Sequence, residues 1–550
     1  MNYDKIRLLL STLYGEYLAD SLLDRSRQLI DHYRTLVPIP DRSALNEQDA
    51  ILITYPDQVT TSGEHPLKTL NRFCCQWIHP FVSGIHILPY YPSSSDDGFS
   101  VIDYKQVDPI FGTWNDIQGI SQSFRLMSDC VINHVSSFSR WFQAFLEDVP
   151  RYRDFFITPS AEQDLSMVVR PRTNPLLTPY LTAQGPRRVW TTFSDDQIDL
   201  NFSNPDVLFE ILDVILFLTA HGVQVIRLDA IGYVWKQPGT SCINSPETHA
   251  IVKLIRAILE QAAPHTLLIT ETNVSHPENI AYFGQGNDEA HLVYNFTLPP
   301  LVLHTLLTGD STRISEWAVS LERVPPTATF FNFLASHDGI GINPVEGLLT
   351  GEEVTRMINQ TLAHGGLVSN KRLADGSEKV YELNINFFDA LSDPASTEDL
   401  QVQIDRFMAA QAIMLTLRGV PGIYFHSLFG LRSWHEGVEL TGRNRTINRQ
   451  KFTEEGLISE ITDPDSLVSQ VYLRYRDLLQ TRASLPAFHP LGRQVILNMG
   501  TGIFAVLRIP PDDGSPVLCL QNVTGQQQTY EGYSLKPYET LWVELESLML

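Results

Sequence analysis

The sequence is poor in cysteine, and this shortage limits the kinds of protein it can encode. Only five cysteines occur among 550 residues, and their number is odd. No CxxC pair with metal-ligand spacing is present, which argues against a disulfide framework and against a cysteine metal site. A reducing, cytoplasmic location is therefore expected. The cysteines are Cys74, Cys75, Cys130, Cys242 and Cys519.

Basic residues and long apolar runs are also scarce. The chain has 40 Lys and Arg against 63 Asp and Glu, a formal net charge of -23. This balance argues against nucleic acid or an anionic membrane as the main partner. No run reaches the roughly 18 apolar residues of a membrane span, and the opening Leu run is too soon interrupted for a secretory signal. We therefore expect a small-molecule substrate that is neutral, or an anion that is bound by a few local cations.

The first part of the chain is predicted to be a helical extension. From Tyr3 to about Arg34 the apolar residues recur at helical spacing. The extension could pack on the rest of the chain or form a homodimer interface. Packing is the preferred interpretation.

Beyond the extension, short apolar runs of strand length alternate with longer amphipathic stretches, a pattern typical of βα units. Eight such runs can be counted, and eight buried parallel strands joined by helices close into a (β/α)₈ barrel. The fold class is therefore α/β. The runs are AILITYPDQ, GIHILPYY, FRLMSDCVINH, VQVIRLDAIGY, TLLITETN, HLVYNF, ATFFNFLASHD and GVPGIYFH.

Two connections are longer than a βα unit needs, and an alternating pattern after about Ser484 indicates a small antiparallel β domain. Inserts of this size at the carboxyl edge of a barrel usually build the substrate pocket. The predicted boundaries are an N-terminal extension (1–48), a barrel (49–134, 202–342 and 393–483), inserts after strands three (135–201) and seven (343–392), and a C-terminal β domain (484–550).

Two acidic residues at strand ends are candidates for glycosidic chemistry. Asp229 and Glu271 follow the apolar parts of consecutive strands, VIRLDA and LLITET. The carboxyl ends of adjacent strands would bring both side chains to one sugar. Retaining cleavage needs one carboxylate to attack the anomeric carbon and a protonated carboxyl to protonate the leaving oxygen. Asp229 is predicted to be the nucleophile and Glu271 the acid/base.

Other polar residues at strand ends fit the same site. Arg227 lies two residues before Asp229, so strand geometry places both on one face, where the guanidinium can keep the carboxylate ionised. Glu271 must stay protonated near neutral pH, which requires burial and neighbouring negative charge. His337 and Asp338 end the seventh strand, and Asn133-His134 end the third. Each residue alone is more often a cap or an ion-pair partner, but their joint placement at four strand ends favours a sugar site.

Four segments carry a resemblance to the α-amylase superfamily, glycoside hydrolase family 13. They are DCVINH, VIRLDAIGY, ITETN and FLASHD. The resemblance implies Asp229 as nucleophile, Glu271 as acid/base and Asp338 as the carboxylate that stabilises the transition state.

Longer segments resemble the sucrose phosphorylase subfamily. They include LPYYPSSSDDGFSVIDY, WTTFSDDQIDLN, LDAIGYVWKQPGTSC and RTINR. The resemblance implies that Asp96 and Arg445 hold the 4-hydroxyl end of a single glucosyl unit and that Phe99 packs against its ring. The expected substrate-binding set is Asp96, Phe99, His134, Arg227, His337 and Arg445.

A phosphorylase must deliver phosphate to the glucosyl-enzyme, and the resemblance implies Arg172, Tyr233 and Tyr381 as its acceptor-side donors. An Arg offers phosphate a bidentate fork, so one Arg can bind the anion on an acidic protein. The alternative is that Arg170 and Arg172 are solvated loop charges.

The acceptor side departs from sucrose phosphorylases at two positions. Thr272-Asn273 follow Glu271 where those enzymes have Val-His, and Val380-Tyr381-Glu382 stands in place of their Leu-Tyr-Gln in the second insert. These variants and the N-terminal extension resemble the glucosylglycerate phosphorylases of the subfamily. The carboxylate of glycerate would then need a cation, supplied by Arg172, Lys236 or the pair Lys371-Arg372. Lys236 is equally well explained as a structural residue.

The leading expectation is phosphorolysis of 2-O-α-glucosylglycerate to α-glucose 1-phosphate and glycerate. Sucrose phosphorolysis is the first alternative, followed by hydrolysis or transglucosylation and by a non-catalytic carbohydrate-binding role. The binding role is disfavoured because all three carboxylates are present. Neither a cofactor nor a required metal is expected, since the sequence gathers too few oxygen ligands around Asn133 for calcium.

Overall fold

The computed structural model describes residues 3–40, 42, 44–321, 324–373 and 376–546. Its centre is a closed barrel of eight parallel strands, in which each strand neighbours the next in chain order and the last pairs with the first. All eight predicted runs supply one strand each, so the (β/α)₈ prediction is confirmed. The strands are β1 (Ile51–Thr54), β2 (Gly84–Ile87), β3 (Arg125–Val131), β4 (Val225–Asp229), β5 (Leu267–Thr270), β6 (Leu292–Tyr294), β7 (Thr329–Asn332) and β8 (Val420–Tyr424).

The barrel interior is filled by side chains. Nearly every strand residue is buried, as expected of a parallel sheet covered by helices on its outer side. One contact leaves no room for a side chain: a Cβ atom at Gly422 of β8 would lie 2.3 Å from the Phe331 ring on β7. Because the interior is packed, a binding site must lie at an end of the barrel. In barrels of this kind it lies at the carboxyl end of the strands.

Helices surround the barrel, and several begin at a side-chain cap. Asn204, Ser245 and Asp399 accept hydrogen bonds from backbone amides in the first turns of the helices they precede. Among the described residues, no helix has the length and apolar composition that a membrane span requires. The longer helices lie at Pro66–Trp77, Trp114–Ser121, Pro205–Ala220, Pro246–Ala262, Leu298–Thr308, Thr312–Ser320, Leu400–Thr416, Glu454–Thr462 and Leu467–Ala483. Shorter ones lie at His276–Ile280, Phe387–Leu391, Phe425–Leu428 and His435–Thr441.

Two further helices, Tyr3–Tyr14 and Glu16–Tyr33, pack against the outer helices that follow β3 and β4. The hydroxyl of Tyr33 donates a 2.7 Å hydrogen bond to Asp213, and the hydroxyl of Tyr14 donates to the carbonyl oxygen of Phe202 at 3.0 Å. Ile30 is completely buried. The structure thus shows the packing arrangement that the sequence favours for the extension.

The connections after β3 and β7 carry structure of their own. The first contains the helix Arg140–Leu146 and the antiparallel pairs Leu177–Thr182 with Gly185–Trp190 and His134–Ser136 with Gln197–Asp199. The second contains the helix Gly351–Ala363 and a three-stranded sheet. That sheet consists of Ile340–Gly341, Leu367–Arg372 and Glu378–Asn384. Both connections rise above the carboxyl end of the barrel.

A four-stranded antiparallel sheet follows the barrel, which confirms the predicted C-terminal β domain. Its strands are Arg493–Leu497, Ile503–Ile509, Val517–Asn522 and Thr540–Glu544, with a hairpin of Gln528–Tyr530 and Tyr533–Leu535 beside them. Arg508, fully buried, donates to the carbonyl oxygens of Thr416 at 3.0 Å and His489 at 2.9 Å. The buried guanidinium therefore ties this sheet to the last barrel helices.

Candidate active site

A cavity of about 310 Å³ opens at the carboxyl end of the barrel, between the two connections that follow β3 and β7. Its volume is that of a site for a small organic molecule. Of the predicted site residues, all but Arg227 and Glu382 line it. The lining residues among those predicted are Asp96, Phe99, His134, Arg172, Tyr233, Asp229, Glu271, Asn273, His337, Asp338, Tyr381 and Arg445.

Asp229 is the last residue of β4, and Arg227, two residues earlier on the same strand, binds its carboxylate. Nη1 of Arg227 donates a 2.7 Å hydrogen bond to Oδ1 of Asp229, and the same nitrogen bonds Oδ1 of Asp129 on β3. Arg227 is 2% exposed and does not line the cavity, whereas Asp229 does. Its predicted contact with substrate is therefore corrected to a contact with the predicted nucleophile.

Glu271 is brought to Asp229 by a turn of unusual backbone conformation. Ala230, directly after Asp229, has φ 46° and ψ 33°, a left-handed conformation that non-glycine residues seldom adopt. In this conformation its amide donates a 2.8 Å hydrogen bond to Oε2 of Glu271. Strain of this kind persists where the surrounding structure requires it, often at functional sites. The turn thus joins the ends of β4 and β5.

The carboxyl groups of Asp229 and Glu271 differ in their distance from the Arg227 guanidinium. Burial raises the pKa of Glu271 to about 7, and the charges of Asp229 and Asp338 add to the effect of burial against the opposing effect of Arg227. Burial also raises the pKa of Asp229, although Arg227 opposes this. Arg227 lies 2.7 Å from Asp229 but 4.0 Å from Glu271. The proton that the pair retains at neutral pH therefore belongs on Glu271.

Asp338 follows β7 and lies close to two guanidinium groups and one imidazole ring. Nη1 of Arg445 forms an ion pair with Oδ1 of Asp338, while Arg449 lies at 3.8 Å and His337 at 3.6 Å. Burial alone would raise the pKa of Asp338, but Arg445, His337 and Arg449 hold it well below its usual range. Asp338 is therefore a permanent negative charge in the cavity.

Glu382 has a different place from the one predicted. It is 1% exposed and binds Arg445 through both oxygens, at 3.0 Å from Nε and 2.6 Å from Nη2. Tyr381 lines the cavity, whereas Glu382, the next residue on the strand, does not. Glu382 is therefore corrected from an acceptor-binding residue to a residue that fixes Arg445.

The predicted glucose-binding residues form one wall of the cavity. The Phe99 ring stacks on the His337 ring at 4.8 Å with an angle of 5° between their planes. The side-chain amide of Gln197 donates to Oδ2 of Asp96 at 3.2 Å and lies 3.0 Å from Nε2 of His134. The polar groups on this wall are therefore already organised before a sugar binds.

The predicted acceptor residues form the opposite wall. The Arg172 guanidinium lies 5.5 Å from the centre of the Tyr381 ring, a cation–π distance. The Tyr381 hydroxyl and the amide oxygen of Asn273 are buried and have no hydrogen-bond partner among the described residues. Buried polar atoms of this kind normally bind a partner, so both are available to a ligand. Tyr233 completes the wall and contacts Phe193 edge to face.

Lys236 does not reach the cavity. Its side chain is 1% exposed, and Nζ binds Oδ2 of Asp199 at 2.6 Å and donates to Oδ1 of Asn133 at 2.5 Å. Lys236 thereby fastens the first connection to the end of β3, which is the structural interpretation. Among the described residues no group of three or more His, Cys, Asp or Glu side chains could hold a metal ion.

The other predicted cations differ in their access to the cavity. Lys371 lines it and donates a 2.8 Å hydrogen bond to Oδ1 of Asn343. Arg372, the next residue on the strand, is exposed and lies outside the lining. Lys371 and Arg172 are therefore the predicted glycerate-binding cations that the structure brings to the cavity.

Three residues that support the site were not predicted. Asp129 lies on β3 and is the first residue of DCVINH, one of the segments that carry the family resemblance, so the sequence contained a usable signal. Gln197 lies in the segment WTTFSDDQIDLN and Arg449 ends RTINR, but neither residue was singled out within its segment. Arg449 donates to the carbonyl oxygen of His337 at 2.9 Å and also binds Asp97. Each of the three binds a predicted site residue, and Gln197 also lines the cavity.

Comparison with known proteins agrees with this geometry. Residues 81–338 match the family described as alpha amylase, catalytic domain. The chain is 50% identical to a glucosylglycerate phosphorylase of Spirochaeta thermophila, over 96% of this chain and 90% of that protein. It is 47% identical to a glucosylglycerate phosphorylase of Allomeiothermus silvanus, over 97% of each. The crystal structure of sucrose 6F-phosphate phosphorylase from Thermoanaerobacter thermosaccharolyticum superposes with a TM-score of 0.76 and 27% identity, covering 92% of this chain and 100% of that one.

Proposed function

The chain belongs to the α-amylase family of glycoside-processing enzymes, and from this premise we propose that it is a retaining α-glucoside phosphorylase. Its preferred reaction converts 2-O-α-glucosylglycerate and phosphate to α-glucose 1-phosphate and glycerate. The assignment of the leaving group is supported by nearly full-length identities of 50% and 47% to two glucosylglycerate phosphorylases. The sucrose 6(F)-phosphate phosphorylase of Thermoanaerobacterium thermosaccharolyticum is 30% identical over 80% of this chain.

The first half of the reaction uses the two carboxyl groups that meet at Ala230. Asp229 attacks the anomeric carbon of the glucosyl unit while Glu271 donates its proton to the departing glycerate oxygen. The bond to glycerate breaks as the bond to Asp229 forms, which leaves a β-glucosyl-Asp229 intermediate. Arg227 stabilises the carboxylate before attack, and the charge of Asp338 favours the positive charge that develops on the ring.

The second half returns the glucosyl unit to phosphate with overall retention. Glu271, now ionised, accepts a proton from phosphate as a phosphate oxygen attacks the anomeric carbon and Asp229 departs. Glu271 then regains the proton that the next cycle requires. A pKa of about 7 suits a group that donates and accepts a proton in alternate steps.

Arg172 is the residue that favours phosphate over water as the acceptor of the glucosyl unit. It lines the cavity, and among the described residues no carboxylate lies within ion-pair distance of its guanidinium. An unpaired guanidinium held over an aromatic ring can present its fork to phosphate oxygens. The surface is strongly acidic, so a local cation of this kind is needed to bind an anion at all. Hydrolysis does not require such a cation, because its acceptor, water, is neutral.

The carboxylate of glycerate needs its own cation on the same wall. Lys371 fits this role because it lines the cavity from the second connection, and its ammonium is already oriented by Asn343. Asn273 and Tyr381 offer unpaired polar atoms to the glycerate hydroxyl groups. Phosphate and glycerate alternate in the cycle, so Arg172 can serve each in turn.

Product analysis tests the proposal. The enzyme is incubated with saturating phosphate and, in separate reactions, with glucosylglycerate, sucrose, sucrose 6-phosphate or glucosylglycerol. Glucose 1-phosphate should form fastest from glucosylglycerate. Faster phosphate-dependent turnover of sucrose would overturn the leaving group, and a predominance of free glucose would overturn phosphorolysis in favour of hydrolysis.

The remaining expectations on partners and location are part of the same proposal. We propose small molecules as the only required partners, without nucleic acid or membrane, and a cytoplasmic location for which the five free cysteines are the support. A homodimer stays a prediction that sedimentation can test.

A further inference from the structure

A buried histidine lies at the far end of the hydrogen-bonded chain that supports Asp229. His86 is on β2, two strands away from Asp229, and is completely buried. Its Nε2–H donates a 2.8 Å hydrogen bond to Oδ2 of Asp129 on β3. Asp129 in turn binds Arg227 on β4, which binds Asp229. Three neighbouring strands thus contribute one residue each to a continuous path that ends at the predicted nucleophile.

The two oxygens of Asp129 have separate partners. Oδ2 accepts from His86, and Oδ1 accepts from Nη1 of Arg227. The same Nη1 also donates to Asp229, whereas Nε of Arg227 is buried and has no partner among the described residues. A carboxylate and a guanidinium prefer to bind through two parallel hydrogen bonds. The bond from His86 occupies the oxygen that such a two-point contact would require.

We propose that His86 is a positioning residue for the nucleophile, which restricts Asp129 to one contact with Arg227 and so leaves the guanidinium available to Asp229. The proposal rests on the proposed function, because it assumes that Asp229 attacks the sugar. Without the bond from His86, Asp129 would turn toward Arg227 and draw it away from Asp229. The nucleophile would then be less readily ionised and less well oriented.

Other ionisable groups also face this path. The His337 ring faces Asp129, and burial lowers the pKa of His337 to about 3, so this ring stays neutral. Tyr294 on β6 lies under Arg227, 5.2 Å from its guanidinium carbon, and burial raises the pKa of its hydroxyl. Neither group changes charge between pH 5 and pH 8.

On the cavity side, Asp229 faces the His134 ring and Glu271, in addition to Arg227. Glu271 titrates near neutral pH and would confuse a pH profile measured with a natural substrate. The test therefore needs a donor whose leaving group departs without a proton. α-Glucosyl fluoride meets this requirement.

Two substitutions of similar length separate the hydrogen bond from the packing. His86→Gln places an amide N–H near the position of the ring Nε2, whereas His86→Met fills similar space and offers no donor. Release of fluoride from α-glucosyl fluoride is measured from pH 4 to pH 9 for the wild type and both variants. The thermal midpoint of each protein is measured alongside.

His86→Met should lower kcat/KM for fluoride release about ten- to hundredfold. The acidic limb of the pH profile, where kcat/KM falls as Asp229 becomes protonated, should move upward by about one pH unit. His86→Gln should retain most of the rate and the wild-type limb. Equal rates and equal limbs in both variants, at matched thermal midpoints, would overturn the proposal. A loss of kcat/KM in His86→Met without a shift of the acidic limb would also overturn the proposal.

An Asp229→Asn variant in the same assay separates this proposal from the assignment of the nucleophile. Full fluoride release by that variant would refute Asp229 as nucleophile, and the role of His86 with it. Loss of release in Asp229→Asn, together with identical behaviour of the two His86 variants, would refute the role of His86 alone. If both His86 variants unfold, Asp129→Asn removes the negative charge that competes with Asp229 for Arg227, so it should move the acidic limb downward. An unshifted limb in that variant would count against the proposal.

Discussion

The backbone amide of Ala230 donates a hydrogen bond of 2.8 Å to Oε2 of Glu271. The bond ties Glu271, the proposed acid/base, to the residue directly after Asp229, the proposed nucleophile, and so couples the positions of the two carboxyl groups. It also leaves the second oxygen of Glu271 available to carry the proton. Burial keeps that proton in place up to about neutral pH.

The pH dependence of glucosylation follows from this arrangement. A raised pKa means that Glu271 is protonated below about pH 7 and loses its proton above it. We expect kcat/KM for glucosylglycerate to fall as pH rises through this region. The fall should disappear with α-glucosyl fluoride, which needs no proton. A profile that stays flat to pH 9 with glucosylglycerate would contradict the assignment of Glu271 as the acid.

Replacing the nucleophile should abolish turnover. Asp229→Asn removes the attacking charge but keeps the size of the side chain, so we expect a loss of roughly four orders of magnitude or more in kcat. Asp24→Asn, an exposed change on the N-terminal helices, is the matched control and should leave the rate unchanged. Release of glucose 1-phosphate measures both. Turnover of Asp229→Asn at the wild-type rate would exclude the mechanism.

Arg172 should determine the use of phosphate. Arg172→Ala removes a charge-assisted contact that is worth about 1.5 to 3 kcal/mol, so KM for phosphate should rise about ten- to hundredfold. The ratio of free glucose to glucose 1-phosphate should rise as well, because water can then compete. Arg188→Ala, exposed on the same connection, should change neither quantity. An unchanged KM in Arg172→Ala would place the phosphate site elsewhere.

The buried ammonium of Lys236 should matter for stability. Lys236→Met leaves Asp199 buried without its partner, and we expect the free energy of unfolding to fall by about 3 to 5 kcal/mol. Lys379→Met, which breaks an exposed pair with Glu346, should cost less than about 1 kcal/mol. Urea titration measures both.

Since Lys236 already binds the Asn133 oxygen, a chelator should leave the activity unchanged. Loss of activity on chelation, with recovery on addition of calcium, would show that a metal is required.

The N-terminal helices should contribute to the stability of the barrel. Ile30→Ala opens a cavity at a completely buried position and should lower the free energy of unfolding by about 2 to 5 kcal/mol. Leu8→Ala, at a position that is 65% exposed, should change it by less than about 0.5 kcal/mol. Similar effects of the two substitutions would mean that the helices do not stabilise the barrel.

The sequence predicted the parts of the molecule that local periodicity controls. Each barrel strand is a short apolar run, and the residues that follow it fall at the carboxyl edge because the strands are parallel. This placed Asp229, Glu271 and Asp338 together without any knowledge of distances. The predicted cavity residues depended on the same rule.

The errors arose where tertiary contacts decide the direction of a side chain. Glu382 lies on an insert strand whose pairing with its neighbour shifts between Ser369 and Asn370, so its face could not be read from the sequence. The role of Lys236 was left open, because its long side chain can reach either the cavity or Asn133. His86 gave no signal, because its role depends on Asp129, a residue on another strand.

Arg445 is bound on one side by Asp338 and on the other by Glu382. The first of these partners belongs to the barrel and the second to the connection that lines the acceptor wall. On the proposed roles, the contacts to glucose and the contacts to the leaving group are linked through the Arg445 guanidinium. A lineage that acquires a new leaving group by changing this connection would have to preserve that link or evolve a substitute for it. A change in acceptor preference is therefore expected to alter the binding of the donor sugar as well.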